Sequence, residues 1–310
     1  MKKFIGLVFL LAAVLSAEEI MQQMKEPVRS DKVFMLDEIV VTGTRVEKTL
    51  RESPGSLELV EGAKLADGVA KNAGEALPSL PGVDLGRNGT LGQTQNLLVR
   101  GVSSEGTLIL LDGVPLNGSY SGLVDFSTLP LDNLERIEIL KGPASSLYGA
   151  NAFGGVINVI TKKPADEAII LYAEGGSYDY FNGGLSVSLP VGPIKNRFSF
   201  SESRSTGYMP DTNFDIFSLA NYSSVKTILG VYDFLFGYTK KDYGASNFYS
   251  NLYPNEAEET DTRFFNIGGL TEAGDLEVRP SLFLRRHWDK FRLDRNRPGW
   301  QTNYSTVYSS

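Results

Sequence analysis

The fold class this sequence predicts is an α+β domain followed by antiparallel strands of a transmembrane β-barrel. Three observations predict it. Residues 53–164 mix helix signals with short β-branched runs. From Ala168 onward the chain is a succession of alternating strands, with Leu185, Val187 and Leu189 set against Ser186 and Ser188. The connections between those strands are of two kinds, tight turns and long loops, as in barrels with short periplasmic turns and long outer loops.

In the first region, Gly62–Lys71 has helical composition, and Asn72 is placed to cap a short helix over Ala73–Leu77 that Pro78 ends. Asn96–Arg100 and Thr107–Leu111 read as strands, and Asp112-Gly113 is a turn signal. Leu134–Leu140 alternates in period two. Pro143 suits a first helical position, Gly149 suits the residue past the helix end, and Gly155–Thr161 is a β-branched closing strand.

In the second region about eight strands are expected: 168–175, 181–189, 197–205, 214–222, 226–240, 262–271, 276–288 and 302–310. Pro190–Asn196, Ser223–Val225 and Glu272–Asp275 are the tight connections. Thr206–Asn213, Lys241–Asp261 and Asp289–Gln301 are the long ones, and the first connection, Gly176–Tyr180, is short and breaks the alternation. Tyr172, Tyr178, Tyr180, Tyr238, Tyr243 and Tyr249 lie near strand ends, where an aromatic girdle would be.

Composition narrows the function. The formal net charge of −7 argues against a nucleic-acid partner, which needs clustered cations. No cysteine and one histidine, His287, leave no thiol chemistry, no two-histidine metal site and no Ser-His-Asp order to argue for an enzyme; no catalytic residue, metal site or cofactor is expected. Glu258-Glu259 falls in an expected loop, as a solvated run. Lys2-Lys3 followed by apolar Phe4–Leu15 reads as a secretory signal cleaved after Ser16 or Ala17. That run is shorter than the roughly 20 residues a spanning helix needs.

Asp37-Glu38-Ile39-Val40-Val41-Thr42 opens a run to Arg45 that resembles the TonB box of TonB-dependent outer-membrane receptors. Its chemistry is strand addition, an extended β-branched peptide pairing with the sheet edge of a partner. Leu80-Pro81-Gly82-Val83, Leu98-Val99-Arg100-Gly101-Val102, Leu110–Leu116 with Asp112-Gly113, Asn133–Pro143 with Glu138, Gly142 and Pro143, and Leu147–Thr161 with Tyr148, Gly149, Gly154 and Gly155 resemble that family's plug domain in order. The resemblance implies a signal peptide over 1–17, a periplasmic linker carrying the box (37–45) over 18–52, a plug over 53–164, and the opening strands of a barrel over 165–310. Family barrels have about 22 strands. The eight here imply an incomplete barrel and a truncated or disrupted sequence.

The family implies a function too: TonB-driven uptake of a scarce metal chelate through the outer membrane, with TonB, the chelate and outer-membrane lipid as partners. Val124–Pro130 and Asn247–Ser250 look like the cobalamin-receptor branch, and ferric siderophores remain the close alternative. A structural or adhesive outer-membrane protein would explain the strands but not the box.

Overall fold

The computed structural model describes residues 39–40, 48–49 and 56–310 apart from 67–69, 88, 118–121, 150, 165–166, 249–251, 274–275 and 298. The expected signal peptide and most of the expected TonB box, Asp37, Glu38, Val41 and Thr42 included, lie outside the described residues.

Two short strands come first, β1 (Ile39–Val40) and β2 (Lys48–Thr49), paired antiparallel with Ile39 opposite Thr49. Then follow β3 (Ser56–Glu61), α1 (Gly62–Ala66), α2 (Ala73–Ala76), β4 (Val83–Arg87), β5 (Gln95–Val99), β6 (Thr107–Leu111), β7 (Val114–Pro115), β8 (Leu134–Lys141), α3 (Ser145–Tyr148) and β9 (Gly155–Thr161). A mixed sheet in the order β3-β8-β9-β6-β7 forms the centre of this region, with β6 and β9 parallel and its other pairs antiparallel. Every residue of β9 is buried, which explains its unbroken apolar and β-branched sequence. Ile109, Ile137, Ile139, Ile157 and Val159 have no exposed surface and make the core with Leu77, Leu97 and Phe126.

Nine strands follow in one sheet: β10 (Ala168–Gly176), β11 (Tyr180–Val191), β12 (Ile194–Ser205), β13 (Phe214–Thr227), β14 (Gly230–Gly244), β15 (Ala257–Ala273), β16 (Leu276–Val278), β17 (Ser281–Arg292) and β18 (Thr302–Ser309). Every pair is antiparallel, β16 and β17 both lie along β15, and among the described residues β10 and β18 do not pair, so the sheet is open. Its two faces differ. Leu189, Val191, Phe198, Phe236, Leu282 and Leu284 are exposed on one, and Ser186, Ser188, Ser199 and Ser201 are buried on the other, against the mixed sheet and its helices. Among the described residues no helix is long and apolar enough to cross a membrane.

Several sequence expectations need correction. Asn72 does cap α2, its Oδ1 accepting the Glu75 N–H at 3.1 Å, and the α-helix does end before Pro78, with Leu77 as its C-cap. What the sequence did not show is that the chain goes on in a 3-10 helix, Leu77–Ser79, whose first turn holds Pro78 where its missing N–H costs nothing. The helix expected over 62–71 is described only to Ala66, and Lys71 is not helical. Likewise α3 begins after Pro143, at Ser145. The turn expected at Ser223–Val225 lies at Ile228-Leu229, where Gly230 at φ 145° lets the backbone press against Leu270. The strand expected over 276–288 is two strands broken at Arg279-Pro280, because proline cannot donate to the ladder. The strands also run further into the long loops than expected, to Gly244 and from Ala257, so Glu258 and Glu259 belong to β15 and His287 to the middle of β17.

The central strand sets the stability of the small domain. Ile157→Ala is expected to cost about 2–5 kcal/mol, and Ser146→Ala, on the exposed face of α3, to stay within about 0.5 kcal/mol; urea unfolding followed by circular dichroism reads both.

Candidate functional site: the seam between the small domain and the strand sheet

The seam is built around Asp125. The chain Val124-Asp125-Phe126-Ser127-Thr128 forms a 3-10 turn in which Phe126 is fully buried and Asp125 is the N-cap. One carboxylate oxygen, Oδ1, accepts the backbone N–H groups of Ser127 and of Gln95, each at 3.0 Å, tying the turn to the start of β5. The other, Oδ2, faces Lys241 of β14, whose Nζ stands 2.6 Å away and also donates to Ser127 Oγ at 2.8 Å. The Lys241 side chain has no exposed surface, and its ammonium lies 4.2 Å from the centre of the Tyr243 ring. Two hydrogen bonds and an aromatic face replace the water that the ammonium gives up.

Further contacts flank this pair. Gln93 Nε2 donates to the Gly244 carbonyl at 2.7 Å, and Thr94 Oγ1 is 2.7 Å from the Tyr243 hydroxyl. Tyr243 also hydrogen-bonds Glu258. Gly92, at φ 87°, lies so close to the Phe214 ring that a Cβ there would come within 2.2 Å of it. Lys71 pairs with Glu174 of β10 at 2.6 Å. Thr128 and Asn133 of the small domain and Ser199, Ser201, Ser218 and Thr239 of the sheet line a cleft whose remaining wall is apolar, with Leu129, Leu134, Leu235 and Phe264.

The residues singled out in the sequence fall in two other groups, at opposite ends of β9. At its C-terminal end Asp112 and Gly113, with φ 49° and 83°, turn the chain between β6 and β7. The Asp112 carboxylate accepts the Thr161 N–H at 2.9 Å and the Thr161 hydroxyl at 2.7 Å, while Gly113 N–H donates to Asn158 Oδ1. Glu138, opposite Asn158 in the sheet, is buried and accepts from Arg136 Nε at 3.0 Å. At the N-terminal end of β9, Gly142 N–H donates to the Gly154 carbonyl, and the Arg100 guanidinium lies over Gly142. Arg100 and Gly101, both at positive φ, follow β5 in a turn where Arg100 N–H donates to the Gly82 carbonyl at 2.8 Å. Gly155, at φ 148°, has no room for a Cβ, which would meet the Leu140 carbonyl at 2.4 Å. Pro143 is exposed, Gly149 ends α3, and Tyr148 packs against a second small core with Leu108 and Val156. These groups shape the domain; the seam lies elsewhere.

Sequence reasoning missed Lys241, Ser127, Gln93 and Thr94. Tyr243 and Tyr180 were expected in a lipid-facing girdle. Instead Tyr243 is buried in the seam and Tyr180 stacks near Phe214 on the same inner side. The alternation in 230–244 could have placed Lys241 on the inner face, had the strand been carried past residue 240 rather than ended there in a long loop. His287 is likewise internal to β17, its Nδ1 2.7 Å from Thr262 Oγ1.

Comparison with known proteins agrees with this construction. The family described as the TonB-dependent Receptor Plug Domain matches residues 49–156. The vitamin B12 transporter BtuB of Vibrio cholerae serotype O1 is 36% identical over 155 residues, 50% of this chain and 25% of that protein. The vitamin B12 transporter BtuB of Photobacterium profundum is 35% identical over 167 residues, 52% of this chain and 27% of that one. The chain thus spans about a quarter of the length of the curated relatives it matches. Among solved structures, BauA, the ferric preacinetobactin receptor of Acinetobacter baumannii, shares the fold with a TM-score of 0.67 at 16% identity, over 84% of this chain and 42% of that one. The siderophore receptor PiuA of the same organism gives 0.65 at 18%, over 79% and 38%.

Two outcomes check the site. Lys241→Met leaves the Asp125 carboxylate without its cation and is expected to cost about 3–5 kcal/mol. Adding Asp125→Asn should restore part of that loss, so the double-mutant cycle shows a coupling of about 1 kcal/mol or more. Burial pushes the Asp112 carboxyl up to about 6, against the opposing Thr161 hydrogen bonds. A raised folded-state pKa means the protonated acid favours the fold, so this contribution is full below about pH 4 and lost as pH rises through about 6. Asp112→Asn should flatten the stability profile between those values in a denaturation series. The small domain at the seam is thus a TonB-dependent receptor plug domain, and the strand sheet that follows it resembles in fold the strands of the receptors BauA and PiuA.

Proposed function

We propose that this chain acts in TonB-driven uptake of a scarce metal chelate, cobalamin or a ferric siderophore, across the outer membrane. One observation carries the reading: a folded plug is fastened to the polar inner face of a sheet whose outer face is apolar, through a buried Lys241–Asp125 pair. A plug held by a few concentrated polar contacts seals a lumen at rest and can still be displaced by force. The relatives named as vitamin B12 transporters favour cobalamin, and the siderophore receptors among the fold neighbours keep ferric chelates as the second reading.

On this reading residues 1–17 are a cleaved signal peptide, 18–52 a periplasmic linker with the TonB box at 37–45, 53–164 the plug and 165–310 barrel wall. The plug and box stand on the periplasmic side, and the protein is a transporter, not an enzyme. TonB binds Asp37, Glu38, Ile39, Val40, Val41 and Thr42 by strand addition. Pairing of Ile39-Val40 with Lys48-Thr49 supports this, because it shows these residues in the extended conformation that TonB would need. The plug-motif residues Arg100, Gly101, Asp112, Gly113, Glu138, Gly142, Pro143, Tyr148, Gly149, Gly154 and Gly155 serve by holding the plug's shape.

The box gives the test. A peptide over residues 36–45 is expected to bind the periplasmic domain of TonB, Val40→Pro to abolish binding by removing a backbone donor, and Val40→Ala to weaken it by about 1 kcal/mol or less. Equal binding by the wild-type and proline peptides would end the strand-addition reading. Growth on limiting cobalamin, against growth on ferric siderophores, in cells that depend on the gene carrying this chain separates the two chelates.

A further inference from the structure

The outer face of the sheet is not uniformly apolar. In the cross-strand register of β14, β15 and β17, the rows Phe234–Ile267–Leu282 and Phe236–Phe265–Leu284 face outward. Their inward neighbours Leu235, Phe264 and Arg285 are buried, whereas Phe236, Phe265 and Leu284 are exposed, which fixes the sense of the face. The next outward row toward the long loops is Tyr238–Arg263–Arg286–Tyr308. Beyond it come Lys240, Asp261 and Trp288, and then Asp242, Glu259, Lys290 and Tyr304 with Arg292 above. In a chain of net charge −7, this patch sets Lys240, Arg263, Arg286, Lys290 and Arg292 against only Asp242, Glu259 and Asp261.

The carboxylates are already engaged. Asp261 pairs with Arg263, Glu259 with Lys240 and Asp242 with Arg292, at 3.1, 3.6 and 3.7 Å. Among the described residues no carboxylate pairs with Arg286, whose Nε is buried without a hydrogen-bond partner, and Lys290 meets only the Tyr304 ring. Arg263 and Arg286 are also directly opposite one another across the β15–β17 ladder. Like charges in that position destabilise a sheet unless an anion lies between them. Two guanidinium groups on adjacent strands, above an apolar floor and beside Tyr238 and Tyr308, match a phosphate carried by acyl chains: the arginines take the oxygens and the Phe265–Leu284 row takes the hydrocarbon.

We propose that Arg263 and Arg286 are the phosphate seat of a lipid site on the outer wall, occupied by the headgroup of a phosphorylated glycolipid of the outer leaflet. This rests on the reading that the sheet spans the outer membrane. The patch then lies at the long-loop end of the apolar band, at headgroup level. The aromatic rings of Tyr238, Trp288, Tyr304 and Tyr308 share that level.

The full chain, extracted from outer membranes into detergent, is mixed with bisphosphorylated lipid A and followed by native mass spectrometry. The wild type is expected to retain the lipid, and dephosphorylated lipid A is expected not to bind. The Arg263→Gln/Arg286→Gln double variant should retain about tenfold less. Arg204→Gln removes an outward arginine on β12 that already has Glu202 and the Phe181 ring, and should change nothing. Circular dichroism confirms that each variant keeps its strands. Equal retention by the double variant would overturn the site, and so would full displacement of the lipid by an equal concentration of inorganic phosphate, which would make it a free-anion site. A chain that does not fractionate with the outer membrane would defeat the membrane reading itself. A chain that does so and shows no preference for the phosphorylated lipid defeats only this proposal.

Discussion

When the plug meets the wall, Lys241 gives up all of its water, and a buried ammonium without partners costs several kcal/mol. The surrounding structure answers that demand. Asp125 must present one oxygen to Lys241, so its other oxygen is free to hold the Ser127 and Gln95 N–H groups, which fixes the Phe126 turn and the entry to β5 at once. Tyr243, two residues on and so on the same face, covers the ammonium and reaches Thr94. A single pair of charges thereby sets the registry between two bodies that each carry their own hydrogen-bonded sheet.

The wall can accept the plug because a strand alternates its faces. Hydroxyls at Ser186, Ser188, Ser199 and Ser201 give a small, polar inner surface, while their sequence neighbours Val187, Leu189, Phe198 and Phe200 supply the outer one. Aromatic contacts across strands, Phe200 with Phe217 and Phe217 with Tyr238, brace that outer face without crowding the inner one. Polarity inside and apolarity outside reverse the pattern of a water-soluble β-protein.

Much of this was readable in the residues and some was not. The plug strands at 107–111 and 155–161 were legible because their apolar runs end at Asp112-Gly113 and Thr161, and the Asn72 cap was legible because its side chain acts within three residues. Local chemistry decided those positions. The seam was hidden because it joins residues 116 apart in sequence, such as Lys241 and Asp125, and no local pattern marks them. One misplaced boundary compounded this. Ending the strand at residue 240 and giving Lys241–Asp261 to a loop took Lys241 and Tyr243 out of the alternation that faces them inward, whereas the strand runs on to Gly244. Glu258 misled for a similar reason: adjacent carboxylates suggest solvent, yet strand alternation sends Glu258 to Tyr243 and Glu259 to Lys240.

The strand order of the plug sheet has a consequence for how the chain folds. Among the described residues its first strand, β3, pairs only with β8, and its central strand, β9, is the last of the five in sequence. Apart from the β6–β7 hairpin, no strand of this sheet can find its partner until residue 134 or later is available, and the core cannot close before Thr161 is. Such distant pairings carry a loop-closure cost that must be met before any contact rewards it. A chain threaded N-terminus first through a narrow channel would therefore emerge with its plug still open. The plug would close only as the first wall strands follow, and the order of the strands would itself keep the chain extended while it passes.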